Sequence, residues 1–425
     1  MVHFIQKHKT KIFFIVISLS INQVTLGTNQ QTGSSTAVSS QVASVQYLTT
    51  TNNAVLFGAV MTAGFSFGPL PASAIWNSCF PVFGNVSMNG GTLTLARDMY
   101  WGNGSTLANG GIFTCANFSV IFPEQNTGFV IGTSASTFNG GNVTFNSPVT
   151  LNTTLNFGGI CVLDGRGNVI NCGSAGKIAV GAGASLLIKN AVLQGISGSA
   201  IFCQDNLGTV SLQNVTIVQD GNYTFTLGIM NILNDVEFTG SSVFAFRSTN
   251  SLNINSYSTL MFDVGNTFSY DTTNASLLNF SDSSATLFLN GATLYATGTG
   301  INLTDGTLNI DSNSFFVSTG TLGVTIGSCI FAEDLQVNMF NNSQLTVNQG
   351  LMNYKNVNAA SFNMFNGNVL LSMGVNTTLN VFRNLNGLGS VVFGNNTTLG
   401  TSPGASLLMN SLQQGTISFT TLPTC

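Results

Sequence analysis

One short pattern returns along most of the chain and limits what it can fold into: a polar residue, Leu, any residue, then an apolar one. It stands as Thr92-Leu93-Thr94-Leu95, Thr154-Leu155-Asn156-Phe157, Ser185-Leu186-Leu187-Ile188, Ser251-Leu252-Asn253-Ile254, Thr286-Leu287-Phe288-Leu289 and Thr307-Leu308-Asn309-Ile310. It continues as Asp334-Leu335-Gln336-Val337, Gln344-Leu345-Thr346-Val347, Thr378-Leu379-Asn380-Val381 and Ser406-Leu407-Leu408-Met409. Alternation of this kind marks a short strand with one face buried. Copies often fall roughly 20 to 30 residues apart, the period of a coiled β-solenoid, whereas sandwich strands recur every ~8 to 12 residues without a longer phase.

Between the copies stand Asn290-Gly291, Asp305-Gly306, Asn366-Gly367 and Asn386-Gly387, residues that tolerate the left-handed backbone of tight corners. Asn190, Asn255, Asn290, Asn348 and Asn410 each follow a strand within two residues. Stacked at one corner of successive coils, such side chains would hydrogen-bond up a ladder. The fold expected is all-β: a single-stranded parallel β-helix, or solenoid. Its core of stacked Leu, Ile, Val and Phe accounts for the 44% apolar content, and Phe113, Phe118, Phe145, Phe225 and Phe268 are assigned to it. Outer-membrane barrels need strands of about 9 to 11 residues and aromatic girdles. Here the strands are shorter, and Trp occurs only at Trp76 and Trp101.

The chain begins with Lys7, Lys9 and Lys11, followed by Ile12-Phe13-Phe14-Ile15-Val16-Ile17. Basic then apolar is the order of a cleavable signal peptide, and the apolar run is too short to span a bilayer. The division expected is a signal peptide over 1–27, a flexible polar leader over 28–45, an N-terminal cap over 46–90 and the β-helix over 91–425. The expected location is secreted or cell-surface, the periplasm included, with no transmembrane span in the mature chain. Cleavage removes both histidines, His3 and His8, and three lysines but no acid, taking the formal net charge from −4 to about −7. That balance argues against nucleic-acid binding. Charged residues are only 6% of the chain, against roughly 25% in ordinary soluble domains, so Asn, Thr and Ser must wet the surface.

Cysteine usage gives a zinc site little support, because no Cys-x-x-Cys pair and no histidine remain. No metal or other cofactor is assigned. Cys79, Cys115, Cys161, Cys172, Cys203 and Cys329 leave two uses open. They could bridge adjacent coils, whose spacing of about 4.8 Å suits a disulfide, or pack as buried free thiols.

Leu163-Asp164-Gly165-Arg166-Gly167-Asn168-Val169-Ile170, followed by Ser185-Leu186-Leu187-Ile188-Lys189-Asn190-Ala191-Val192-Leu193, resembles right-handed parallel β-helix proteins of the pectin-lyase-like group. There a turn of the form D-G-x-G-x-x-I precedes a rung of the form L-x-I-x-N-x-x-L. The chain also looks like exported, uncharacterised β-helix proteins of intracellular bacteria. The resemblance implies either a structural rod or a polysaccharide-cleaving enzyme built on clustered carboxylates.

No catalytic residue is assigned. Asp164 with Arg166 and the adjacent pair Glu333-Asp334 are the candidates for an exposed charged site, while Asp235 and Glu237, two apart, can share a strand face. The function expected is a non-enzymatic exported or surface-associated β-helix acting in adhesion, recognition or envelope contact, its partner an unnamed surface protein or glycan. The alternative is a polysaccharide-active enzyme or carbohydrate binder of the same fold.

Overall fold

The computed structural model describes strands between residues 47 and 419, and side chains chiefly from 75 to 316. The segments 1–27 and 28–45, and with them Cys79, Glu333, Asp334 and Cys425, lie outside the described residues. The chain winds as a parallel β-helix with three faces per turn. One rung shows the plan: Lys177–Val180 forms the first face, and the long strand Ser185–Gly198 then supplies both the second and the third. The next rung begins at Ile201–Cys203, in parallel register with Lys177–Val180. Among the described residues no helix is long and apolar enough to cross a membrane.

Alternation along each strand becomes columns along the rod. On the second face Leu163, Ile188, Leu212, Ile232, Ile254 and Phe280 stack inward, one per rung. On the third face Leu193, Ile217, Phe238, Phe262, Leu289 and Ile310 do the same. On the first face phenylalanines stack ring on ring: Phe113 on Phe138 at 4.9 Å, Phe138 on Phe157 at 5.7 Å, and Phe244 on Phe268 at 5.5 Å. Of the phenylalanines assigned to the core, Phe113, Phe145, Phe225 and Phe268 are fully buried and Phe118 packs partly buried against them.

Within 46–90, Tyr47–Thr50 runs antiparallel to Asn53–Leu56. That second strand then pairs in parallel with Ser73–Trp76, and Ser73–Trp76 with Thr92–Leu95, so one ladder joins this region to the rungs that follow.

On five successive rungs the corner between the second and third faces carries one residue with a left-handed backbone. Arg166, Asn190, Asn214, Asn234 and Tyr257 each adopt a left-handed backbone, with φ between 50° and 59°. At Asn190, Asn214 and Asn234 that residue redirects an extended strand without ending it, whereas at Arg166 and Tyr257 the strands stop at Asp164 and Ile254 and resume at Val169 and Thr259. Asn accepts the conformation at lowest cost among residues with a side chain. Here the expected amide ladder exists in part: the amide of Asn214 donates to Asn190 Oδ1 at 3.3 Å. Of the other asparagines expected to join it, Asn255 stands at this same corner, between Leu252–Ile254 and Thr259–Phe262, and Asn290 does not. Asn290 lies between the third and first faces and donates to Asp263 at 2.8 Å, while Asn348 and Asn410 fall outside the described residues. A second ladder runs along the outside of the second face, where Asn279 donates to Asn253, Asn253 to Asn231 and Asn231 to Ser211, at 3.1, 2.8 and 3.2 Å.

Inward polar residues tie neighbouring rungs together at the remaining corners. Buried Ser314 donates to Leu289 O at 2.9 Å, and its oxygen accepts from the backbone N–H groups of Gly291 and Ala292 at 2.8 and 3.1 Å. Ser314→Ala strips one acceptor and one donor from three backbone groups of the rung before it. Since each buried polar group left unpaired costs ~1–3 kcal/mol, the variant is expected to lower the urea midpoint by an amount equivalent to at least about 1 kcal/mol. An unchanged midpoint would show that water replaces the hydroxyl.

Candidate functional site

Asp164 closes the turn singled out in the sequence. Its side chain is only 13% exposed and accepts from the Arg166 N–H at 3.0 Å and the Asn190 amide at 3.3 Å. Lys189 Nζ and Arg166 Nε stand 3.5 and 3.7 Å from its second oxygen. Gly165 is required here by the next rung: a Cβ on it would sit 2.7 Å from Ala191 Cβ and 2.8 Å from Asn190 O. The structure therefore brings Asp164 and Arg166 together, but it spends the carboxylate on the corner. Arg166, whose side chain is 63% exposed, is the part left facing solvent.

Further along the same edge, the third face carries a concave depression of about 440 Å³ lined by Asn214, Thr216, Asp235, Glu237, Thr259 and Met261, over Val215 and Val236. Three rungs build it. Thr216 stands in register with Glu237 and Glu237 with Met261, while Asp235 stands beside Thr259. Asp235 and Glu237 share the outward side because buried Val236 lies between them. Partial burial and the neighbouring Asp263 carboxylate raise the pKa of Glu237, against a hydrogen bond from Thr216 that lowers it. Neither Asp235 nor Glu237 has a basic partner: the ion pairs among the described residues engage Asp164 and Asp271.

Sequence spacing pointed to Asp235 and Glu237 but missed what surrounds them. Asn214, Thr216, Thr259 and Met261 arrive from the rungs before and after, and Tyr257 stands two residues from Thr259 at the corner, 86% exposed. The one available signal was the 21-residue step that sets Thr216 against Glu237.

Cys115, Cys161, Cys172 and Cys203 are buried free thiols. The register explains their state, since the rung neighbours of Cys161 are Gly141 and Leu186, and Cys203 stacks on Val180. The backbone of Cys329 stands in register with Ile301 and Met352. Burial pushes the thiols up, to about 11 for Cys161 and about 12 for the other three. They are neither nucleophiles at neutral pH nor, among the described residues, part of any His, Cys, Asp and Glu group able to hold a metal.

Known protein families, curated proteins and solved structures offer no match to this chain.

Proposed function

We propose that the protein is a non-enzymatic, exported or surface-associated β-helix that recognises a surface protein or glycan along one side of its rod. It would act outside the cytosol, at the cell surface, in the periplasm or after secretion, as a right-handed helix of the pectin-lyase-like type. The observation that carries this reading is the outward amide file of the second face, Ser211, Asn231, Asn253 and Asn279, one group per rung and each held by its neighbour. A polar surface ordered in advance loses little side-chain entropy on binding, and a partner laid along it meets the same chemistry every ~4.8 Å.

A second reading, polysaccharide cleavage, is favoured by the two carboxylates that share the third-face depression, one of them with a raised pKa. One experiment separates the two. The exported chain is incubated with intact cells and with a panel of immobilised polysaccharides, and both retention and soluble products are measured. Saturable retention without new reducing or unsaturated chain ends is the expected result. Release of such ends in proportion to time and protein would overturn it in favour of the enzyme.

A further inference from the structure

The third face differs from the second in a way that specifies a ligand. Its outward column reads Val192, Thr216, Glu237, Met261, Phe288 along successive rungs. A carboxylate thus stands between the Thr216 hydroxyl on one rung and apolar Met261 on the next, with Asp235 beside it and further hydroxyl and amide groups from Thr259 and Asn214 around the depression. Two acids without a basic partner, in a chain that is acidic overall, repel a uronate or any other anionic sugar. They attract a cation. Thr, Asn and carboxylate oxygens suit the hydroxyls of a sugar, and Met261 gives its C–H face an apolar floor. Tyr257 adds an exposed aromatic ring on the same edge, two residues from Thr259 in the chain. An extended basic peptide would find less here, because the backbone N–H and C=O groups of this face are already paired with the rungs on either side and none is left for strand addition.

We propose that the depression bounded by Asn214, Thr216, Asp235, Glu237, Thr259 and Met261 binds a saccharide bearing a free amino group, with the ammonium held by Asp235 and Glu237 and a sugar ring against Met261 and Tyr257. The proposal rests on the reading of the protein as a recognition rod and names the ligand class of one part of its surface. The desolvation and neighbouring charge that raise the proton affinity of Glu237 are offset when an ammonium group arrives beside it.

The test is calorimetric titration of the full chain with glucosamine oligomers, with the N-acetylated oligomers of equal length, with oligogalacturonate and with oligolysine. Expected is binding of the glucosamine oligomer at least about tenfold tighter than of the N-acetylated one, and none of oligogalacturonate. Glu237→Gln and Asp235→Asn keep shape and remove charge at outward positions, so both should fold and each should weaken binding by about tenfold. Tyr257→Asn removes the ring while easing the left-handed backbone, and should weaken binding with no loss of stability. No binding of the glucosamine oligomer, equal binding of its N-acetylated form, tighter binding of oligolysine, or unaltered affinity in both charge variants would each overturn the proposal. If the chain still attaches saturably to surfaces, only the amino-sugar assignment fails. If that attachment is absent as well, the recognition reading fails with it.

Discussion

Raising the pH from 9 toward 11 is expected to unfold this protein, and its buried thiols are the reason. Cys115, Cys161, Cys172 and Cys203 point into the apolar interior, where burial raises each pKa from an ordinary 9.0 to about 11 or 12. The Cys161 thiol adds to the shift at Cys115, Asp220 at Cys172 and Asp205 at Cys203. The unfolded chain releases these protons near pH 9 while the folded chain keeps them, so the unfolded state binds fewer protons and stability falls as pH rises. The contribution is complete below pH 9 and is lost progressively as pH climbs to about 11 or 12, at up to ~1.4 kcal/mol per pH unit for each thiol. Four such groups acting together amount to several kcal/mol by pH 10.5, comparable with the whole stability of an ordinary domain. Urea midpoints measured from pH 7.5 to 10.5 test this, with Cys172→Ala as the control. The variant should begin less stable but lose less over the same interval. Parallel losses in variant and parent would assign the alkaline transition to other groups, the buried Tyr223 among them, whose pKa is also raised.

Phe244→Ala should be the most damaging single core substitution in the described rungs. Phe244 is fully buried and touches aromatic rings on every side: Phe238 at 4.6 Å, Tyr223 at 5.2 Å, Phe268 at 5.5 Å and Phe262 at 6.1 Å between centroids. Removing the ring forfeits its transfer from water and leaves a cavity that stacked neighbours on fixed rungs cannot close, at a cost of ~3–5 kcal/mol. A solenoid contacts only its own neighbours along the axis, so the loss should be local before it is global. Hydrogen exchange should accelerate first in the strands Val243–Phe246 and Thr267–Tyr270, and only later in Lys177–Val180. Phe288→Ala, on the outward side of the third face, should change stability far less. Similar losses from both variants would mean that the inward and outward assignments carry no energetic weight.

Much of this fold is legible along the chain because alternation is a local property. In Thr286-Leu287-Phe288-Leu289 the pleat alone sends Leu287 and Leu289 to one side and Thr286 and Phe288 to the other, and the structure buries the two leucines completely. The left-handed corner is equally local at Asn190, where an Asn-bearing turn separates two alternating runs. At Tyr257 the same backbone is taken by a residue that does not favour it, and no local signal announces it.

The candidate site was legible only to the extent of one strand. Asp235 and Glu237 share a side because Val236 separates them, whatever the fold. That Thr216 and Met261 flank Glu237, or that Asn190 and Lys189 engage Asp164, depends on which rung lies next to which. This in turn depends on the number of residues in each turn, and that number varies. On the first face the strands at Val243–Phe246, Thr267–Tyr270 and Thr293–Ala296 stand 24 and then 26 residues apart, with the excess taken up in corners. The recurring tetrads accordingly do not form one column: Thr154–Asp164 opens on the first face, Ser185–Gly198 on the second, and Thr286–Asn290 lies on the third. Pleat and backbone preference act within a few residues, so half-buried strands and tight corners are already legible along the chain, although several of these strands run on through a corner for 11 to 17 residues. The three-faced cross-section, the unpaired thiols and the carboxylates in their depression follow from packing between rungs, because the register between rungs is the sum of every corner before it.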